Sequence, residues 1–105
     1  MERINKPIYW TDRAVNDLEK VTRFNIKLFG FNKSIEIATE IQEATEILAF
    51  HEFNKIGSID EDFTHLKFEY RKLIHHHCKI TYREGKEKIY INRIFDTRQN
   101  PAKNK

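Results

Sequence analysis

The sequence is short of the residues that cross-link or interrupt a chain. Cys78 is the only cysteine among 105 residues, which excludes an internal disulfide framework and a multi-cysteine zinc site and fits a reducing cytosol. With only three glycines and two prolines, each of them is informative about where an element stops. No run of 18 apolar residues is present, and residues 1–7 lack the apolar stretch of a signal peptide. We therefore expect a cytoplasmic protein with no membrane partner.

Charge and apolar content set further limits. The 19 lysines and arginines exceed the 16 aspartates and glutamates by three, a surplus too small to indicate nucleic-acid binding by itself. Hydrophobic residues make up 39% of the chain and aromatic residues 12%, which excludes a disordered tail and is enough for one apolar core. We expect a single domain over residues 1–105, with residues 7–101 ordered.

The first half of the chain predicts a strand followed by two helices. Residues 8–10 are typical of a short strand, and Thr11 behind them is a typical helix N-cap. The first helix ends at Gly30, and the second, capped by Asn32 or Ser34, ends near Phe50. Apolar residues at helical spacing predict an antiparallel hairpin whose two stripes face a common partner. The stripes are Ala14, Leu18, Val21, Asn25 and Leu28 in the first helix and Ile37, Ala38, Ile41, Ala44, Thr45 and Leu48 in the second.

Beyond an aperiodic loop at residues 51–64, the apolar period changes to two. Residues 66–71, 78–82 and 88–95 alternate between apolar and polar side chains, which predicts three consecutive antiparallel strands. Residues 96–105 lose their apolar side chains, and the last few of them, beyond about residue 101, are expected to be mobile. The order predicts an α+β fold: an N-terminal strand, a two-helix antiparallel hairpin, then a three-stranded antiparallel meander. The helices cover one face of the sheet, and we expect the opposite face to be free.

Several strings of this sequence resemble a known family in the same order. They are Tyr9-Trp10-Thr11, Ile56-Gly57, Tyr70-Arg71-Lys72-Leu73, Ile80-Thr81-Tyr82-Arg83, and residues 89–101, which end in Arg-Ile-Phe-Asp-Thr-Arg-Gln-Asn-Pro. This ordered set, spanning about residues 7–101, resembles the RelE/ParE superfamily of toxins from type II toxin-antitoxin (plasmid stabilization) systems.

The resemblance implies a small bacterial toxin that is silenced by an antitoxin encoded beside it, in a toxin–antitoxin hetero-oligomer. Members similar to RelE cleave messenger RNA in the ribosomal A site, with a basic sheet surface and a histidine or tyrosine near the end of the last strand. Members similar to ParE poison DNA gyrase through protein contact. We expect no cofactor and no metal in either case.

The residues that would carry these activities are mainly cationic. Cleavage of RNA needs an acid, a base and fixed cations for the charge that grows on phosphate. The candidate cations are Arg71, Arg93 and Arg98, which match family positions. His76 is the candidate acid or base of such a ribonuclease. The candidates for target contact are Lys67, Arg71, Lys79, Tyr82 and Arg98. Ion pairs within the chain for the arginines, and core packing for Tyr82, are the alternatives.

Two features bear on the choice between the branches. Asp96 stands where the ribonuclease members tend to carry histidine, and an ordinary aspartate is a poor general acid near neutral pH. It also repels RNA unless it is paired with Arg93 or Arg98. The triplet at residues 75–77 is interpreted as exposed or hydrogen-bonded histidines. The alternatives are an acid–base role and metal binding by His75 and His77 from one strand face.

We therefore predict a ParE-like toxin that inhibits growth by binding DNA gyrase. One alternative is a RelE-like, ribosome-dependent mRNA endoribonuclease. A further alternative is an inactive toxin-fold module that only binds a partner.

Overall fold

The structure, a computed structural model, describes residues 5–50, 53–63 and 65–98. Its elements are β1 (Ile8–Trp10), α1 (Asp12–Phe29), α2 (Phe31–Glu46), β2 (Ser58–Ile59), β3 (Arg71–His75), β4 (Cys78–Glu84) and β5 (Ile89–Asp96). Short 3₁₀ helices lie at Ile47–Ala49 and Glu61–Phe63. The tail predicted to be mobile, beyond about residue 101, lies outside the described residues.

The five strands form one sheet in the order β1-β5-β4-β3-β2. Strand β1 runs parallel to β5, so that Ile8 pairs with Ile89, and the other neighbouring strands are antiparallel. The predicted order of one strand, two helices and a three-stranded meander is confirmed. The sheet has one strand more than predicted, because Ser58 and Ile59, expected in a loop, pair with β3.

The two helices are separated by a single residue. Thr11 caps α1, since its hydroxyl oxygen accepts a hydrogen bond from Ala14 N at 3.2 Å and donates one to Ile91 O at 2.9 Å. Gly30 ends α1 with a φ of +85°, a conformation that favours glycine. The same residue is the N-cap of α2. Helix α2 therefore starts before either predicted cap residue, Asn32 or Ser34.

The core lies between the helices and one face of the sheet. Leu28, predicted on the buried stripe, is instead half exposed in the last turn of α1. The other four residues of that stripe are buried, as predicted. The core residues are Ala14, Leu18, Val21, Ile37, Ile41, Leu48, Cys78, Ile80, Tyr82, Ile89, Ile91 and Ile94.

The opposite face of the sheet is partly covered, contrary to expectation. Residues 66–70, predicted to begin a strand, belong to no strand, and β3 starts only at Arg71. The segment formed by residues 60–63 and 65–70 instead lies across β4 and β5, where Phe63 stacks on Phe95 with ring centroids 6.4 Å apart. Lys79 and Thr81 are buried beneath it. The alternation at residues 66–70 therefore belongs to a covering segment and not to a paired strand.

Within the described ranges, neither helix is long and apolar enough to cross a membrane.

Candidate functional site

The end of β5 carries a closed polar cluster around Arg98. Its guanidinium donates two hydrogen bonds to the Asp96 carboxylate, at 3.0 and 2.7 Å, and one to Asn25 Oδ1 at 2.7 Å. The rings of Phe24 and Phe29 lie 5.3 and 5.8 Å from the same guanidinium. The Asp96 side chain is fully buried. Arg98 is thus held by its own chain on several sides.

The environment of Asp96 fixes its charge. Burial by itself raises the pKa of Asp96, but hydrogen bonds from the Arg98 side chain and backbone outweigh burial and hold this pKa below its ordinary value. The hydrogen bond with Asp96 in turn raises the pKa of Arg98. Near neutral pH, Asp96 is an anion that has no proton to donate. The pairing with Arg98, an alternative in the sequence interpretation, is the arrangement observed.

The other two candidate arginines also lie in ion pairs within the chain. Arg93 donates from Nε to Asp17 Oδ2 at 2.7 Å. Arg71 donates from Nε to Glu69 Oε2 at 2.9 Å and from Nη1 to Gly57 O at 2.7 Å. A phosphate group at any of the three arginines would have to compete with a carboxylate that is already bound.

Lys79, a candidate for target contact, is buried, and the structure contradicts that assignment. Its Nζ lies 3.3 Å from Asp60 Oδ2 and 3.0 Å from Asp62 Oδ2. The rings of Phe63 and Phe95 lie 5.5 and 5.1 Å from the same nitrogen. Lys79 therefore holds the covering segment on the sheet and presents no charge to a partner.

Tyr82 is also removed from the candidates for target contact, because its exposure is 0%. Its hydroxyl oxygen accepts a hydrogen bond from Gly57 N at 2.9 Å. Burial raises the pKa of Tyr82, and the hydrogen bond from Gly57 partly opposes that shift. Tyr82 therefore packs in the core, which was the alternative to target contact.

Sequence reasoning missed a row of alternating cationic and aromatic side chains, in which Arg83 and Tyr90 are partly buried and the other members are exposed. Arg83 lies between two rings, with its Cζ 4.3 Å from the centroid of Phe68 and 4.4 Å from that of Tyr90. Tyr90 meets Tyr9 edge to face at 5.8 Å, and Lys88 Nζ lies 5.2 Å from the Tyr9 ring. The cation–aromatic row, as we name it, consists of Lys67, Phe68, Arg83, Tyr90, Tyr9 and Lys88.

The register of the sheet explains this row. Arg83 is paired with Tyr90 across β4 and β5, and Tyr90 is paired with Tyr9 across β5 and β1. Phe68 joins the row from the covering segment, and Lys67 lies at its end, 5.6 Å from the Phe68 ring. Strand alternation places Arg83 and Tyr90 on the face away from the helices. No sequence signal joins Phe68 to them, since that contact depends on where the segment crosses the sheet.

The three histidines do not share one strand face. His75 ends β3, while His76 and His77 form the turn before β4. His76 Nε2 is hydrogen-bonded to Glu40 Oε1 of α2. This bond lowers the pKa of Glu40, with burial opposing it. Burial raises the pKa of the Cys78 thiol to about 11, so it is not a nucleophile near neutral pH.

Comparison with known proteins supports the fold. No protein-family model matches the sequence, and no curated protein matches it. A chain of the solved structure of the chromosomal ParDE TA system from P. aeruginosa is similar, with a TM-score of 0.72 and 20% sequence identity. The similarity covers 87% of this chain and 95% of that chain. This protein therefore has the fold that the resemblance to the RelE/ParE superfamily implies.

Proposed function

We propose that this protein is the toxin of a toxin–antitoxin pair and that it arrests growth by binding DNA gyrase. The structural similarity to a chain of a ParDE system, over nearly the whole of both chains, supports the toxin assignment. The Asp96–Arg98 pair is the observation that carries the mechanism. At the position where RelE-like members tend to carry histidine, this chain has a buried, ionised carboxylate.

The remaining candidates for RNA cleavage are also engaged. Arg71 and Arg93 are bound to carboxylates, and His76 is hydrogen-bonded to Glu40. A ribonuclease site would need free cations and a free acid or base around one phosphate. Among the described residues, the predicted catalytic side chains lie in separate, internally satisfied groups. This favours a protein target over phosphodiester chemistry.

The cation–aromatic row is the surface we assign to gyrase. Tyrosine and arginine are the residue types that most often dominate the binding energy of protein interfaces. Stacking of RNA bases would need free aromatic faces, whereas Arg83 already lies over both Phe68 and Tyr90. Lys67, a candidate from the sequence, lies at one end of the row and remains in the proposed surface.

A supercoiling assay tests this proposal. Purified wild-type protein is expected to inhibit supercoiling of relaxed plasmid by gyrase and to leave messenger RNA intact in a translation reaction. Arg83→Glu is expected to weaken inhibition about tenfold or more, because it reverses the central charge of the row. Arg23→Glu is the matched control, since Arg23 is exposed on α1 and pairs there with Glu19.

Each alternative result has a defined meaning. Cleavage of messenger RNA at the A site with intact supercoiling would replace the gyrase proposal with the ribonuclease alternative. If the wild-type protein neither inhibits supercoiling nor cleaves messenger RNA, the inactive binding module is the remaining alternative. Equal inhibition by wild type and by Arg83→Glu, both folded by circular dichroism, would show that the cation–aromatic row does not contact gyrase.

The antitoxin is the second partner we propose. The surface we assign to it is the turn between α1 and α2, around Gly30. Phe31 is 64% exposed, and Leu28, Phe29 and Ile35 beside it are 52%, 48% and 42% exposed. Exposed apolar residues grouped in this way mark interaction sites. The small reading frame beside this gene is expected to give a product that co-purifies with the wild-type chain.

Substitutions at the turn test this surface. Phe31→Asp is expected to reduce recovery of the co-expressed product about tenfold, because it places a charge in an apolar contact. Ile74→Asp is the matched control, an equally exposed apolar residue on β3. Undiminished recovery with Phe31→Asp would place the antitoxin elsewhere, whatever the result of the gyrase assay.

A further inference from the structure

We propose that Glu40, His75 and His76 form a site for a zinc ion that links α2 to the turn between β3 and β4. One ligand atom from each residue, two imidazole nitrogens and a carboxylate oxygen, lies within 4.8 Å of the others. Imidazole and carboxylate together are a donor set that zinc takes in proteins. The sequence interpretation placed a metal alternative on His75 and His77 only, and the fold replaces His77 with Glu40.

The first supporting observation is an unsatisfied nitrogen. His75 Nε2 is buried and has no hydrogen-bond partner among the described residues. It lies 4.0 Å from Glu40 Oε1, beyond hydrogen-bond distance. A buried polar atom without a partner is rare in native proteins and calls for an unseen water or ion. A cation between this nitrogen and the carboxylate would satisfy both groups.

The second observation is the backbone of His76. Its φ is +54°, a left-handed conformation that no other non-glycine residue adopts in the described ranges. This conformation sets the His76 ring against that of His75, with centroids 4.5 Å apart, and brings Nε2 to Glu40. Strained backbone of this kind persists where the surroundings enforce it and is common at functional sites.

The distances are compatible with a metal after a small adjustment. Zinc binds nitrogen and oxygen at about 2.0–2.2 Å, so two ligands of a tetrahedral site lie about 3.3 Å apart. The 4.0 Å between His75 Nε2 and Glu40 Oε1 would have to shorten by less than about 1 Å. The direct contact between His76 and Glu40 would open by a similar amount.

The neighbouring charge does not prevent binding. Lys33 is the cation that acts on Glu40 from the same helix, and its ammonium is paired with Glu36 at 3.3 Å. The net charge of the ligand set, with both imidazoles neutral, is −1, which suits a divalent cation.

Titration calorimetry with zinc chloride on the metal-free, full-length protein tests the proposal. One zinc ion per chain is expected to bind and to raise the melting temperature, because the folded chain alone assembles the ligands. Glu40→Gln and His76→Gly are each expected to weaken zinc binding by at least about tenfold, the loss seen on removing even an indirect partner of a metal ligand. Glycine suits the φ of His76, so that variant keeps the fold.

Controls separate this site from general surface binding. Glu43→Gln on the same helix and His65→Gln on the covering segment change the same residue types outside the cluster and are expected to bind zinc as the wild type does. The proposal is overturned if the wild type binds no zinc. It is also overturned if His76→Gly binds with unchanged affinity, or if the control variants lose binding equally.

Discussion

Replacing Gly57 with alanine is expected to lower the free energy of unfolding by about 3 kcal/mol. A methyl group at this buried position would overlap the carbonyl oxygen of Lys72 on β3 and lie 2.9 Å from the Tyr82 ring and hydroxyl. Neither neighbour is free to move, because the carbonyl belongs to the sheet and Tyr82 is fully buried in the core. The backbone at residue 57 would have to move away from Lys72 and Tyr82. This movement would also weaken the hydrogen bonds that Gly57 makes with Tyr82 and Arg71.

Chemical denaturation with urea measures this effect, with Ser58→Ala as the matched control. Ser58 is the next residue and is exposed, so its substitution is expected to change stability by less than about 0.5 kcal/mol. A Gly57→Ala protein whose unfolding midpoint equals that of the control would show that the space around residue 57 is larger than the structure indicates.

Replacing Asp96 with asparagine is expected to lower the free energy of unfolding by about 2 kcal/mol at neutral pH. The change keeps the shape of the side chain but leaves the Arg98 guanidinium without its counter-charge. Removing one partner of a buried ion pair typically costs about 3–5 kcal/mol. The Arg98 side chain is 25% exposed, so water recovers part of that loss. Glu87→Gln in the turn after β4 is the control, since Glu87 is exposed.

The pH dependence of this difference has a definite sign. The pKa of Asp96 is lower in the folded chain than in the unfolded chain, where an aspartate has a pKa of about 3.9. Its contribution to stability is therefore complete above the unfolded value and is lost as pH falls through the folded value. The gap between wild type and Asp96→Asn is expected to narrow below about pH 4. A gap that stays constant down to acid unfolding would contradict the pairing.

Much of the fold could be predicted because it depends on local patterns. The stripe from Ala14 to Asn25 repeats at helical spacing, and Thr11 and Gly30 mark the ends of α1. The two-residue strand β2 is too short to show any period. The alternation at residues 66–70 was misleading, because these residues pair with no strand and Leu66 and Phe68 stay exposed.

The candidate site was less predictable, because the burial and pairing of its side chains depend on residues that are far apart in sequence. Lysine is almost never fully buried unless it is paired. No pairing partner of Lys79 lies close to it in the sequence, so its burial could not be predicted. Its partner Asp60 lies 19 residues away. Arg71 and Arg98 were correctly identified as residues with an ion-pair alternative, because their carboxylates lie only two residues away. Glu40 and His76, 36 residues apart, meet only in the folded chain.

The pairing of the first strand with the last has a consequence for synthesis. Thr11 at the end of β1 bonds to Ile91, 80 residues further along, and β5 is also the strand on which α1 and β4 rest. While β5 is still inside the ribosome, the nascent chain can form its helices, but the sheet stays incomplete. A shortened translation product that ends before β5 therefore lacks the strand that joins β1 to β4 and cannot form this sheet.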